Sequence, residues 1–182
     1  MAGGAHRSAS RPDRPYAMSK LLALVPALAL AALALLPSGC AVSRPFRGPG
    51  YSSRDGVTVD APPGGLVVAL TEGVLDRSRR RPFDRAIRDV DRGMASQPGL
   101  VGYALRKELF GSRVWTMSVW ESEEALRRFV RSGLHRDAMQ RGGEATLEFR
   151  YHSFRAQPGE FPVPWERAIG LLEAEGGPGY GG

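Results

Sequence analysis

The 182-residue sequence contains one cysteine and no asparagine. A lone thiol cannot close an internal disulfide, and it excludes both a multi-cysteine metal site and a CxxCH haem attachment. The three histidines, His6, His135 and His152, show no metal-ligand spacing. There is no Ser-His-Asp pattern and no dinucleotide fingerprint, which argues against a hydrolase, a metalloenzyme and an NAD enzyme alike. A strong charge imbalance is also missing. The formal charge is +6, and Arg7, Arg11, Arg14 and Lys20 set against Asp13 supply half of it. The remainder is too mild to indicate a nucleic-acid partner. Apolar residues at 42% and charged residues at 24% are ordinary for a globular chain. The 23 glycines and 14 prolines gather near the ends, which should be less ordered than the middle.

The cysteine has an informative address. Lys20 is followed by residues 21–36, "LLALVPALALAALALL", and then by Pro37-Ser38-Gly39-Cys40. A basic start, an apolar run and small residues form an export signal. Met18 opens a compact "MSK" start, so translation is expected to begin there, with residues 1–17 as an upstream extension. The stretch before Cys40 resembles a bacterial lipobox, although Pro37 stands where Leu is usual. That resemblance implies diacylation of Cys40 and a lipid anchor. Two other outcomes are open: an uncleaved transmembrane anchor of about 20 apolar residues, or cleavage after Ala41 to give a soluble product. All three place the remainder outside the cytoplasm. Residues 41–64, rich in Pro, Gly and Ser and without period, read as a flexible tether.

Residues 65–157 read as one α+β domain. "LVVAL" at 66–70 is a central strand. Pro82 opens a helix whose Phe83, Ile87, Val90 and Met94 form one stripe. Residues 100–109 alternate as a strand, "FGS" turns the chain, and residues 113–120, "RVWTMSVW", return as the second arm of a hairpin. Ser122 caps a second helix with Glu123 and Glu124 in its first turn, and Gly133 suggests a kink that re-aims His135. Residues 145–154 supply the last strand. The order β-α-β-β-α-β predicts a ferredoxin-like sandwich. Two helices cover one face of such a sheet, and the other is expected to pack on a second copy, giving a homodimer and a dimeric α+β barrel. Gly102, Ala104, Thr116 and Ser118 are expected on that second face. Residues 158–182 read as a loop, a short helix over 164–175 and a Gly-rich tail.

The stretch "GLVGYALRKELFGSRVWTMSVWESEEALRRFVRSGLHRDAM" (99–139) resembles the antibiotic biosynthesis monooxygenase-like superfamily of dimeric α+β barrels, with spheroidene monooxygenase-type proteins as the nearest flavour. The shared features are a strand ending in Trp120, the acidic cap 121–124, the helix that follows and His135. The resemblance covers about residues 65–156 and implies a pocket between helices and sheet. Members include cofactor-free oxygenases of aromatic polyketides and haem-degrading enzymes. Many use an Asn on the first strand, and this chain has none. In the haem-degrading branch a Trp and a His lie on the second helix; aligned on Trp120, those places hold Phe129 and Met139. Met139 alone would then be the haem-facing residue, so no cofactor is expected and haem stands as the alternative.

The candidate catalytic residue is His135, as a general base or ligand; the plainer alternative is a helix-end histidine bonded to backbone or solvent. Candidate pocket walls are Tyr103, Arg106, Trp115, Trp120 and Met139. Trp115 and Trp120 are five residues apart and so should take opposite faces. Arg106 with Glu108, and Glu148, Arg150 and His152, line either a polar cavity or an ion-paired sheet face. The basic loop Arg77, Arg79, Arg80 and Arg81 is either solvated or meets anionic lipid. The sequence thus predicts an exported, lipid-anchored, monooxygenase-like domain that acts on or binds a small hydrophobic molecule. A non-catalytic binding or stress-response lipoprotein of the same fold is the alternative.

Overall fold

The computed structural model describes residues 1 and 40–179. The chain separates into two compact units, Met1–Ser38 and Gly39–Gly182, and the second is described below. The segment expected to be an export signal, before Cys40, and the tip at 180–182 lie outside the described residues.

In chain order the second unit holds β1 (Ala41–Ser43), β2 (Tyr51–Ser52), β3 (Gly56–Val57), β4 (Leu66–Leu75), α1 (Arg80–Met94), β5 (Leu100–Glu108) and β6 (Arg113–Trp120). These are followed by α2 (Glu123–Val130), α3 (Gly133–Gly143), β7 (Thr146–Ala156), α4 (Trp165–Glu175) and β8 (Gly177–Pro178). The main sheet runs β1-β5-β6-β4-β7-β8, with every neighbour antiparallel. Its four long strands, with α1 after β4 and α2–α3 after β6, form the ferredoxin-like order expected from the sequence.

The local causes are legible. Ser122 accepts from the Ala125 amide at 3.2 Å, and Glu123 and Glu124 sit in the positive first turn of α2. The chain then breaks. Ser132 accepts from the His135 amide at 3.2 Å and caps a fresh helix beginning at Gly133. The expected kink is a complete restart. β4 outruns the apolar "LVVAL" by five residues, to Leu75. Glu72 stays buried within it because Arg150 and Arg113 approach its carboxylate at 3.5 and 3.9 Å.

The two faces of the sheet pack separately. Under α1 and α2 lie Val67, Ala69, Leu100, Trp120, Leu126 and Phe129. On the opposite face lie Leu66, Val68, Leu70, Trp115, Met117 and Val119, covered by Val163, Ala168 and Leu172. Phe46, Val57 and Val59 also pack there. The face assigned above to a second subunit is therefore covered by this chain's own α4 and by residues from the supposed tether. That removes the ground on which the sequence predicts a twin. Close approach makes the cover work. A Cβ on Gly48 would stand 2.3 Å from the Gly102 Cα, and one on Gly102 would stand 2.6 Å from the Phe46 ring. α4 is also held electrostatically: Arg150 Nη2 donates to the carbonyls of Leu172 and Glu173 at 2.7 and 3.3 Å, at the negative end of the helix.

One expectation is corrected. Thr116 and Ser118 do not share a face with Gly102 and Ala104. Ser118 pairs with Tyr103 and Thr116 with Leu105, both toward the helices, while Ala104 pairs with Met117 toward α4. A register shift between Leu100 and Gly102 inserts one residue, so Val101 turns to the α4 face and simple alternation fails there.

Candidate functional site

Between the helices and the sheet is a cavity of about 350 Å³, at the small end of the range for small-molecule sites. Its floor is made of small side chains: Thr71 and Gly73 of β4, Thr116 and Ser118 of β6. Its roof is the stripe Phe83, Ile87, Val90 and Met94 of α1, with Phe129 of α2. α3 contributes His135, Ala138 and Met139 to the wall. The hydroxyls of the floor are engaged. Thr71 and Thr116 hydrogen-bond to each other, and Ser118 accepts from Trp120 Nε1 at 2.9 Å.

His135 is buried against Phe129, ring centroids 5.0 Å apart and nearly perpendicular. Burial pushes its pKa below the ordinary value, partly opposed by the hydrogen bond to the Val130 carbonyl. The imidazole is therefore neutral at pH 7. A neutral imidazole that donates from one nitrogen carries a basic lone pair on the other. The restart at Ser132 positions it, since a continuous α2–α3 helix would aim residue 135 elsewhere.

At one margin of the cavity lies a charged network that the sequence did not indicate. Tyr103 donates to Asp91 Oδ1 at 2.9 Å, and Arg47 Nη2 contacts both Asp91 oxygens at 2.7 and 2.8 Å. Arg44 adds a contact at 3.3 Å, and the Arg47 guanidinium lies 5.4 Å from the Tyr103 ring centroid. Burial alone would raise the Asp91 pKa, but hydrogen bonds from Arg47 and Tyr103 outweigh it and hold the carboxyl below its usual range. Tyr103 is displaced upward, by burial first and then by the Asp91 carboxylate. All four residues line the cavity. Arg47 and Arg44 come from the segment read as a tether, which bonds backbone to backbone with β5: Arg44 N to Leu105 O at 2.8 Å, Tyr103 N to Arg47 O at 2.7 Å.

The sequence-derived candidates divide. Tyr103, His135 and Met139 line the cavity. Trp120 is fully buried behind it, stacked on Phe129 at 4.9 Å. Trp115 and Arg106 stand on the other face, outside the cavity. Trp115 is packed in the α4-side core, and Arg106 is its register partner, reaching Glu166 at 3.5 Å. Strand parity explains both. Arg150 and His152 share that face, His152 approaching Glu175 at 3.7 Å, whereas Glu148 reaches the lining of the cavity. His135 and Met139 lie one turn apart on the same helix, so they cannot supply axial ligands to opposite faces of a haem. Among the described residues, no group of three or more His, Cys, Asp or Glu is placed to hold a metal ion, and no helix is long and apolar enough to cross a membrane.

Residues 76–141 match the antibiotic biosynthesis monooxygenase family. The matched span runs from the turn before α1 almost to the end of α3, so it includes His135, Tyr103 and the roof of the cavity. No curated protein matches the sequence. Among solved structures, the chain is similar to a conserved protein from Methanosarcina mazei Go1 (14% identity, 52% of this chain and 95% of that one, TM-score 0.49). It is similar too to a cofactor-independent oxygenase from Streptomyces nogalater (17% identity, 51% and 94%, TM-score 0.46). A third is a protein from Lactobacillus acidophilus NCFM described as a candidate monooxygenase (14% identity, 51% of this chain, TM-score 0.46), of whose length the chain spans 45%.

Proposed function

We propose that the domain is a monooxygenase-like oxidoreductase of the spheroidene monooxygenase-type branch, exported and anchored through Cys40, acting without a bound cofactor on a small hydrophobic or aromatic molecule. The observation that carries this reading is the apolar cavity of about 350 Å³ with His135 in its wall. Its size suits two or three fused rings, and the polar groups of its floor and margin are already hydrogen-bonded to one another. Neutral His135 accepts a proton from an activated methylene of the ligand, leaving an electron-rich carbanion. Molecular oxygen takes electrons from that carbanion and its oxygen bonds to the carbon. For an anthrone the balance is one anthrone and one O₂ giving one anthraquinone and one water: the methylene is oxidised to a carbonyl, and oxygen is reduced. The low dielectric of the cavity favours delocalised charge over water as competitor.

The test is oxygen uptake with an anthrone, comparing wild type with His135→Gln. Stoichiometric consumption of oxygen with quinone formation, lost in the variant, supports the proposal. Binding of the anthrone without turnover favours the second reading, a binding or stress-response lipoprotein. One observation speaks for that second reading: Tyr103, Asp91, Thr71 and Thr116 all spend their polar atoms on protein partners rather than on the cavity. The anchor has its own test. A fatty-acid probe should label the wild type in cells and not Cys40→Ser.

A further inference from the structure

One end of the sheet differs from the rest of the surface. The ends of β4 and β5 and the beginnings of β1, β6 and β7 meet there, as the pairs Ala41↔Glu108, Val74↔Arg113 and Leu75↔Thr146 require. Cys40 lies at this end and is exposed, its carbonyl accepting from the Leu109 amide at 2.8 Å. Beside it are Val42, Leu109, Phe110 and Leu147, exposed at 46, 44, 79 and 70%. Among the described residues after Met1, only Met139 joins them as an exposed large apolar side chain. Scattered apolar residues on a surface mean little, but Leu109 and Phe110 stand side by side on the β5–β6 turn, and Val42 and Leu147 flank them at the same end on β1 and β7. The turn leading into α1 carries Arg77 and Arg79 beside it, and the first turn of α1 carries Arg80 and Arg81. Arg77 donates to the Phe110 carbonyl, and Arg79 donates to the Glu144 carbonyl at 3.0 Å. Acids are fewer. Asp76 is spent on Ser78 and Glu108 on the Arg113 amide, which leaves Glu144 and Glu148.

We infer that this end is a membrane-docking face, with an anionic phospholipid bilayer as its partner. Phe110 and Leu109 enter the interface, and the arginine loop meets the headgroups. Two features select a bilayer over another occupant. Cys40, the residue that carries the anchor in the proposed reading, is exposed at this end of the sheet. β1 begins directly after Cys40, and so no slack separates that residue from the sheet. The rim is cationic, as an anionic leaflet requires; each arginine near such a surface is worth about a fivefold change in the docked population. The inference rests on the anchored reading for proximity to the membrane, and adds which surface meets it.

The test uses the full chain in vesicles of phosphatidylcholine and phosphatidylglycerol with brominated acyl chains. Of the three native tryptophans, Trp115 and Trp120 are buried and Trp165 is half-buried, so each variant is read against the quenching of the wild-type chain. Phe110→Trp should lose emission to the bromolipid. Gly159→Trp should not: it lies beyond the opposite end of the sheet, where an added side chain meets nothing within 4 Å. The Phe110→Trp loss should weaken when phosphatidylglycerol is omitted, and about fivefold per residue in the docked ratio in Arg79→Gln and Arg81→Gln. If the chain floats with vesicles but Phe110→Trp is quenched no more than Gly159→Trp, the docking face is wrong and the anchor stands. If the chain does not float, both fail. A lipid-independent, concentration-dependent change in Phe110→Trp emission assigns the patch to a second copy instead and overturns the inference.

Discussion

Trp115 and Trp120 belong to one strand, yet they sit in two kinds of interior. Around Trp115 the sheet presents Leu66, Val68, Leu70, Met117 and Val119, and α4 closes over them without a gap. Around Trp120 the side chains on β4 run Val67, Ala69, Thr71, Gly73, losing bulk toward the strand's end, with Thr116 and Ser118 on β6 beside them. Helices packed on that taper stand off the sheet, and the cavity is the space left. The two indoles carry the same contrast in their polar atoms. Trp120 Nε1 donates to Ser118, whereas Trp115 Nε1 is buried without a hydrogen-bond partner. A protein interior packs to crystal-like density unless something maintains a void. One face of this sheet follows that rule, and the other keeps a cavity of about 350 Å³.

The sharpest way to break the comparison is to remove volume from each face. Leu172→Ala, on the solid face, should cost about 2–5 kcal/mol in denaturant unfolding, because a fully buried side chain leaves an empty cavity. Ile87→Ala, on the cavity roof, should cost roughly half as much, since its inner side already lacks partners. Equal costs would mean that the cavity is filled in solution. Adding volume reverses the order. Ala168→Leu has no room and should cost about 1–3 kcal/mol. Ala138→Leu projects into the cavity and should leave stability within about 0.5 kcal/mol while abolishing ligand binding. The indoles give a finer cut. Trp120→Phe strands the Ser118 hydroxyl and should cost about 1 kcal/mol more than Trp115→Phe, which removes an unsatisfied donor.

Helix α1, the β5–β6 hairpin and the Ser122 cap were legible because each is a local pattern: a 3.6-residue stripe, two alternating runs, an acceptor followed by acids. The break before His135 was legible in Gly133, although as a kink and not as the full restart that Ser132 caps. The cover of the second face was legible only in part: the 164–175 helix carries Trp165, Ile169 and Leu172 on one side, and that side packs on the sheet. The rest depends on a three-residue edge strand, a glycine-to-glycine approach at 48 and 102, and a two-strand hairpin, none of which has a period to detect. The pairing register of the β5–β6 hairpin sets Ser118 beside Tyr103 and Thr116 beside Leu105, and with them the floor of the cavity, on the face opposite to the one expected. The Arg47–Asp91–Tyr103 network joins three elements 12 to 44 residues apart. Only the fold brings them together.

The smallest effect tests the guest site through its histidine. In the unfolded chain His135 titrates at its ordinary value; in the fold, burial holds its pKa lower. Above both values neither state carries the proton and the pH dependence vanishes. As the pH falls through the unfolded value, the unfolded state takes up a proton that the native state refuses, so stability declines until the native pKa is passed, with a slope of at most about 1.4 kcal/mol per pH unit. His135→Gln should flatten that limb between pH 6.5 and the native value and leave the acid limb of Asp91 in place, because the Asp91 pKa is also lowered and its contribution is lost only as the pH falls through the carboxylate range. Unfolding curves measured at half-unit intervals separate the two. A bound aromatic ligand that contacts the imidazole should deepen the histidine limb, since it excludes water further from a group that already resists charge. If His135→Gln leaves the profile unchanged, the imidazole is hydrated in solution, and the cavity is a wet cleft rather than the dry site the proposed oxygen chemistry needs.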